Sequence, residues 1–265
     1  MTALALSPLA TLSRRRFQLA VRTPRELLVP LLTPIMFALV IAPSLKTALH
    51  TGTSYESYVA IGTIGLLIPL NTMFAGLGVI VDRESGAQRE LLAAPVPRAL
   101  IVLGNLLVAL AITGLQVGVL IAVAVARGIH FDATSGGVLW FIAAAALFTV
   151  GMYGAAEILA NRVPKQEEYI ARVPAIAILP WFLAGALYPI TAMPHGLTWV
   201  AKFLPLTHGL ALMRYGLLDD SSGLRHIWGM SDATGMAALS VGVLTLFAVL
   251  LSIASVRVFS RAALR

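Results

Sequence analysis

The sequence predicts an all-α integral membrane protein with six transmembrane helices, and three observations support this fold class. Of the 265 residues, 58% are hydrophobic and only 12% are charged, about half the charged fraction of an average soluble domain. The charges are clustered, so six long stretches contain no Asp, Glu, Lys or Arg. Each stretch is long enough for a helix to cross a hydrocarbon core of about 30 Å.

The six charge-free stretches place the predicted spans at about residues 27–45, 57–81, 99–125, 137–160, 173–190 and 235–257. Residues 1–265 form a single transmembrane domain on this interpretation. The alternative is a soluble protein with buried helices, but six such stretches leave too little polar sequence to cover them. Gly114 and Gly118 have the spacing of small residues that membrane helices use for close packing.

An amphipathic helix is predicted to precede the first span, at residues 8–25. Its arginines are expected to meet anionic headgroups while Leu9, Leu12, Phe17 and Leu19 enter the lipid. A cleavable signal peptide is not expected, because Arg14, Arg15 and Arg16 follow the short apolar stretch instead of preceding it. Residues 191–232 are predicted to form short re-entrant or interfacial helices on the outer side, broken around Pro205.

The distribution of basic residues predicts that both termini are cytoplasmic. With this orientation fourteen of the 19 Lys and Arg residues lie on the inner side, as the positive-inside rule requires. The outer five are Lys46, Arg127, Lys202, Arg214 and Arg225. The net charge of +7 is therefore explained by topology, and no nucleic-acid partner is expected.

Several chemistries are excluded or disfavoured by residues that the sequence lacks. There is no cysteine, which excludes disulfides, thiolate metal sites and cysteine nucleophiles. A P-loop is absent, because Lys46 alone among the lysines precedes a hydroxyl residue and Leu45 occupies the required glycine position. Serine-hydrolase and zinc-protease motifs are also absent. No histidines have metal-binding spacing, so neither a metal site nor enzymatic activity is expected.

The inner loop between the second and third predicted spans is the most informative segment. Residues 82–98 are predicted to form a short surface helix that acidic residues open and that Pro95 and Pro97 close. Leu91 can face the membrane or the core. Arg83, Glu84, Arg89 and Glu90 would be free to meet a cytosolic partner. From the residues alone, an ordinary interfacial helix is the simpler interpretation.

This loop resembles the cytoplasmic signature of type-2 ATP-binding-cassette (ABC) exporter permeases, including the drug and antibiotic exporters. The matching residues are Asp82, Arg83, Glu84, Gly86, Leu91, Pro95 and Val96. Further resemblance lies in three stretches, residues 22–26, residues 185–189 followed by Pro194, and residues 204–207 followed by Arg214. The resemblance covers nearly the whole chain.

The resemblance implies a membrane permease subunit that carries no cofactor itself, and the abundance of Ala, Arg and Gly favours a bacterial plasma membrane. Separate ATP-binding subunits would hold ATP and Mg and dock on the 82–98 helix. A second permease copy would complete the transporter, as a homodimer or heterodimer, with the homodimer expected. The implied coupling residues are Asp82, Arg83, Glu84, Gly86, Arg89, Glu90, Leu91 and Pro95, and the implied outer-region residues are Tyr188, Pro205 and Arg214.

The implied substrate is a hydrophobic or amphipathic molecule such as a drug, an antibiotic or a lipid, with lipid or glycoconjugate export as the alternative. Polar residues within the spans are candidates for its path: Asn71, Thr72, Asn105, Thr113, Gln116 and Glu157. Interhelical hydrogen bonds are the simpler role for the amides. For Glu157, near the inner end of its span, an interfacial, solvated or paired carboxylate is the simpler interpretation.

Two other function classes remain open from the sequence. An ion-coupled secondary transporter needs ionisable groups deep in the bundle, and Glu157 is the single candidate, in a shallow position. A membrane scaffold or assembly factor is also possible, although the loop signature disfavours it. A neighbouring gene for a soluble ATPase would favour the exporter over both.

Overall fold

The computed structural model describes residues 3–22 and 53–262, together with the pairs 28–29, 31–32, 35–36 and 39–40. The predicted first span, residues 27–45, lies outside the described residues apart from these pairs, as do residues 23–26. The described part contains ten α-helices and one 3-10 helix. The α-helices are α1 Ala3–Arg22, α2 Thr53–Glu84, α3 Ala87–Ala93, α4 Arg98–Ala126, α5 Ser135–Arg162, α6 Gln166–Leu183, α7 His195–Phe203, α8 Pro205–Leu218, α9 Ser222–Trp228 and α10 Ala233–Ala262.

Helix α2 is the centre of the fold. It is apolar on every side, which is typical of a helix that is surrounded by other helices. Side chains from Val59 to Ile80 are buried with few exceptions, and α4, α5, α6 and α8 all pack against it. Tyr169 of α6 donates its hydroxyl to the Met73 carbonyl at 2.9 Å, and Trp181 of α6 donates its indole N–H to the Gly62 carbonyl at 2.7 Å.

Small residues set the close packing of α5 against its neighbours. A Cβ at Gly151 would lie 2.3 Å from the Phe247 ring of α10, and a Cβ at Gly137 would lie 2.3 Å from the Gly216 carbonyl of α8. Glycine at these positions lets the helix backbones approach closely, as in other membrane helix pairs. By contrast, nothing within the described residues lies near the Cβ positions of Gly114 and Gly118.

Four described helices are long and apolar enough to cross a membrane: Tyr55–Glu84, Arg98–Ala126, Ser135–Arg162 and Ala233–Arg261. They correspond to the predicted spans at 57–81, 99–125, 137–160 and 235–257. The total of six spans stays a prediction.

The helix at the predicted span 173–190 has different bounds from those predicted, and the span itself stays a prediction. Helix α6 begins earlier, at Gln166, and carries Glu167 and Glu168 in its first turn. It ends at Leu183, because the backbone turns at Ala184 and Gly185, and Gly185 has a φ of 77°, which favours glycine. The helix is therefore shifted toward the charged residues that the prediction placed in a loop.

Short helices follow α6, as the sequence predicts for residues 191–232. They comprise the 3-10 helix Ile190–Ala192 and helices α7, α8 and α9. The helical conformation is interrupted at Leu204, between α7 and α8, and α8 begins at Pro205. Proline suits the first position of a helix because its missing N–H is not needed there. The placement of these helices on the outer side of the membrane stays a prediction.

The predicted helix over residues 82–98 is shorter than expected. Asp82, Arg83 and Glu84 lie in the last turn of α2 and do not open the loop helix. Gly86, with a φ of 81°, separates α2 from α3, which covers Ala87–Ala93 alone. Residues 94–97, including Pro95, then lead into α4. The end of the bundle with this turn is called the Asp82 end below. The opposite end, where Arg214 of α8 lies against Tyr58 near the start of α2, is called the Arg214 end.

Candidate functional site

A cleft of about 410 Å³ opens between α1, α2 and α4 at the Asp82 end. Its walls are mainly apolar, with Leu19 from α1, Phe74 from α2 and Ile112 from α4. Asn71 and Asn105 add two amides to the lining. A cavity of this size and character is typical of small-molecule sites, which combine apolar walls with a few polar groups.

The mouth of the cleft carries two arginines and one carboxylate. Arg15 donates from Nη2 to Asp82 Oδ1 at 2.8 Å and from Nη1 to Asp82 Oδ2 at 3.3 Å. Arg16 donates from Nη2 to the Ala75 carbonyl at 2.7 Å, and its Nη1 lies 3.8 Å from Asp82 Oδ2. Paired guanidinium and carboxylate groups of this geometry form the stronger class of hydrogen bond. They fasten α1 to the end of α2.

Two glycines make room for α1. A Cβ at Gly78 would lie 1.7 Å from Arg16 Nη2, so the guanidinium can lie on the α2 backbone because residue 78 has no side chain. A Cβ at Gly104 of α4 would lie 3.1 Å from Leu12 Cβ. Leu12, predicted to enter the lipid, therefore packs on α4, whereas Phe17 and Leu19 are exposed and their lipid contact stays a prediction.

Glu157 lies behind the cleft, on α5, and is fully buried. Its carboxylate accepts from the Tyr153 hydroxyl at 2.7 Å and from Asn161 Nδ2 at 3.2 Å. Of the alternatives given for Glu157, a solvated carboxylate does not agree with this burial and a paired one does, whereas its depth in the membrane stays a prediction. Burial is tolerated because the hydrogen bonds replace water.

The other predicted path residues divide between the cleft and the core. Asn71 Nδ2 donates to Thr113 Oγ1 between α2 and α4, which is the interhelical role that the sequence suggested for amides. Thr72 is buried and donates to the Ile68 and Pro69 carbonyls of its own helix at 3.0 Å. Gln116 is buried on α4. Asn71 and Asn105 are thus the two predicted path residues that line the cleft.

The predicted coupling residues also fall into two groups. Glu84, Arg89 and Glu90 are exposed around the α2–α3 turn. Arg83 is not free for a partner, because it donates to the carbonyls of Ala160 at 2.8 Å, Val163 at 2.7 Å and Pro164 at 3.0 Å. These carbonyls lie at the end of α5 and in the loop to α6.

Asp82 is likewise occupied within the chain, because Arg15 and Arg16 neutralise it. Leu91 packs with Leu92 against a small cluster that contains Tyr153 and Phe259, so the apolar face of α3 meets the core. The exposed acidic and basic side chains of the turn are therefore available to a partner at this end.

The ABC-2 type transporter family model matches residues 8–218, which is most of the chain and includes the cleft, the α2–α3 turn and α8. The chain belongs to the ABC-2 type transporter family. Members of this family named as transport permeases are among its relatives, so the chain is a multi-pass membrane protein and a transport permease of this family.

Two relatives of this ABC-2 permease illustrate the extent of the similarity. A transport permease named ycf38 from Porphyra purpurea is 25% identical over 79% of this chain and 74% of its own length. Nodulation protein J from Bradyrhizobium diazoefficiens is 27% identical over 81% of this chain and 77% of its own length. The similarity therefore covers most of both proteins.

Of the three predicted outer-region residues of the ABC-2 permease, Arg214 is held by contacts with α2 and with the segment that follows α6. Arg214 is buried, stacks 3.4 Å from the Tyr58 ring centroid and donates to the Ala186 carbonyl at 3.0 Å. Burial lowers the pKa of Arg214 to about 10, which leaves it charged at neutral pH. Tyr188 is half-exposed and donates its hydroxyl to the Phe182 carbonyl at 3.3 Å.

Sequence reasoning missed Arg15, Arg16 and Gly78 as site residues of the ABC-2 permease. It assigned the arginine cluster to lipid headgroups and saw no reason to select one glycine of α2. The signal that could have found them is Asp82, the acidic residue that directly follows the second apolar stretch. A carboxylate at the end of a membrane span needs a cation, and besides the adjacent Arg83 the arginine triplet of the amphipathic helix is a source of one.

Proposed function

We propose that this ABC-2 type permease is the transmembrane subunit of an ABC exporter that moves a hydrophobic or amphipathic substrate outward. Separate ATP-binding subunits would dock on the α2–α3 turn and hydrolyse ATP. A second permease copy, most simply an identical one, would complete the transporter in a bacterial plasma membrane, with both termini cytoplasmic.

The observation that carries the proposal is the connection between the exposed α2–α3 turn and the rest of the bundle. Glu84 and Glu90 are exposed on this turn, whereas Asp82 and Arg83, immediately before it, are bonded to α1 and to the α5–α6 junction. A force on α3 would therefore reach α1, α2 and α5 through short, charged hydrogen bonds. Coupling of remote sites requires such a physical connection.

The lining of the cleft supports the substrate class. Leu19, Phe74 and Ile112 provide apolar surface, and Asn71 and Asn105 provide hydrogen-bonding groups. This combination suits a molecule with an apolar body and a polar end. Export of a lipid or glycoconjugate is the alternative within the same class of transporter, since such a substrate also has an apolar anchor.

The first test is partner binding by charge-reversed variants. The tagged chain is expressed in its native host and purified in mild detergent together with any soluble ATPase that it binds. We expect the native chain to retain the ATPase and the Glu84→Arg, Glu90→Arg double variant to lose most of it, because charge reversal replaces attraction with repulsion at the interface. Asp132→Arg is the matched control, an exposed acid at the Arg214 end.

The outcomes separate the function classes. If the double variant loses the ATPase and the other two chains retain it, docking on the α2–α3 turn is supported. Equal retention by all three chains would place the docking surface elsewhere. Failure of the native chain to retain any ATPase would overturn the exporter and favour the secondary transporter or the scaffold.

A further inference from the structure

The charges that line the cleft do not balance. Arg15 and Arg16 contribute two positive charges and Asp82 contributes one negative charge. Glu157 interacts electrostatically with Arg16 from behind the cleft wall. However, it does not line the cleft, and its carboxyl group is buried in hydrogen bonds with Tyr153 and Asn161. The surface that an occupant would meet at the mouth is therefore cationic. An anionic group is the complement to such a surface.

The two guanidinium groups are held in different ways. Arg16 is fixed by the Ala75 carbonyl and by the gap at Gly78, and its side chain is 11% exposed. Its Nη1 stands at ion-pair distance, 3.8 Å, from Asp82, too far for a hydrogen bond. Arg15 is 34% exposed and forms both of its hydrogen bonds with Asp82. Arg15 can therefore exchange Asp82 for another anion while Arg16 stays in place.

The walls beyond the arginines suit an apolar chain. Leu19, Phe74, Val108 and Ile112 line the cleft. A soluble anion would use the arginines and leave this apolar surface in contact with water, which is unfavourable. An occupant with an anionic headgroup and an apolar chain covers both parts.

We propose that the cleft binds an anionic amphiphile from the adjacent leaflet, with Arg15 and Arg16 holding a phosphate or carboxylate headgroup in competition with Asp82. Guanidinium groups bind these anions through paired N–H donors. That this amphiphile is the transported substrate rests on the proposed function of the chain as an exporter. Binding itself requires the cleft alone.

Asp82 links occupancy to the α2–α3 turn. A headgroup that displaces Asp82 from Arg15 releases the hydrogen bonds between α1 and the last turn of α2, which leads through Gly86 into α3. A partner on α3 and an amphiphile in the cleft therefore act on the same element. Linkage requires each to change the affinity of the other by the same factor.

The test measures lipid binding to the full chain in detergent without any ATPase. Two fluorescent lipids with identical chains are compared, an anionic phosphatidylglycerol and a zwitterionic phosphatidylcholine. We expect the native chain to prefer the anionic lipid. Arg15→Gln should weaken its binding roughly tenfold, since a charge-assisted hydrogen bond is lost. Arg14→Gln is the matched control, because Arg14 is exposed on the same helix and does not line the cleft.

Asp82→Asn gives the result that a purely structural role would not give. If Asp82 competes with the headgroup, its neutralisation should strengthen binding of the anionic lipid severalfold and leave phosphatidylcholine unchanged. If the ion pair only holds the fold, Asp82→Asn should weaken lipid binding in the same direction as Arg15→Gln. A melting temperature for each variant identifies any loss of folding, and unchanged phosphatidylcholine binding confirms an intact surface.

Soluble glycerol phosphate distinguishes a headgroup site from an amphiphile site. We expect it to compete weakly, because it lacks the chain that covers the apolar walls. Competition as strong as that of the lipid would overturn the amphiphile, and equal binding of the two lipids by the native chain would overturn the anionic headgroup. Since no ATPase is present, these outcomes are independent of partner docking, which is tested separately through Glu84 and Glu90.

Discussion

At the scale of single residues, the most consequential feature is the absence of a side chain at Gly78. Arg16 lies on the α2 backbone at this point and donates to Ala75. One missing methyl group thus decides whether a guanidinium can be buried between α1 and α2. The same principle operates at Gly76, where a Cβ would lie 2.3 Å from the Tyr169 hydroxyl.

We predict that Gly78→Ala displaces Arg16 and lowers the stability of the protein. The lost charged hydrogen bond, less the better helix propensity of alanine, gives a net cost of about 1–2 kcal/mol. The measurement is the midpoint of thermal unfolding in detergent, compared with Gly242→Ala, where a Cβ would meet open space. A shift at Gly78 that equals the shift at Gly242 would contradict the prediction.

At the scale of helices, Arg83 joins the end of α2 to the end of α5. A cation beside the last carbonyls of a helix also interacts favourably with its dipole. The three carbonyls that Arg83 contacts lie at Ala160, Val163 and Pro164. A signature residue that the sequence assigned to partner contact is therefore an internal connector, while the neighbouring Glu84 keeps the exposed position.

We predict that Arg83→Gln separates docking from force transmission. The variant should retain the ATPase in co-purification but lose transport, and its stability should fall by about 1–3 kcal/mol because carbonyls at the α5–α6 junction lose their donor. Arg162→Gln removes the same charge from an exposed position at the end of α5 and should behave like the native chain. Loss of the ATPase from Arg83→Gln would assign Arg83 to docking instead.

At the scale of the whole molecule, α2 is enclosed by other helices, whereas α4 and α10 expose large apolar side chains such as Leu115 and Leu246. An exposed apolar helix face is expected where lipid, not water, is the solvent. The turn at Glu90 and the loop at Asp132 lie at opposite ends of the bundle, since α4 connects the two. The predicted orientation therefore places them on opposite sides of the membrane.

We predict that a membrane-impermeant maleimide applied to intact cells labels an Asp132→Cys variant and not a Glu90→Cys variant. The native chain has no cysteine, so each variant carries a single reactive position and the native chain is the blank. After the membrane is opened, both variants should react. If intact cells label the Glu90→Cys variant and not the Asp132→Cys variant, the orientation that the basic residues predict is contradicted.

The sequence by itself determined the membrane class, the positions of four long apolar helices and the break at Pro205. These properties are local, because a helix that crosses lipid must be continuously apolar over about 20 residues. The family signature in residues 82–98 was also readable in order along the chain. The start of α6 at Gln166 could not be predicted from the sequence, because charged residues in the first turn of a helix resemble those of a loop.

Only the tertiary structure decided the roles of Asp82, Arg83 and Arg16. Arg15 and Asp82 are 67 positions apart, and Arg83 lies 77 positions from Ala160. No spacing rule connects residues at such separations. Charge alone shows that a residue needs a partner, but the packing of α1 and α5 against α2 decides which partner lies within hydrogen-bond distance. The cleft follows from the same packing, since its walls come from three helices that are distant in sequence.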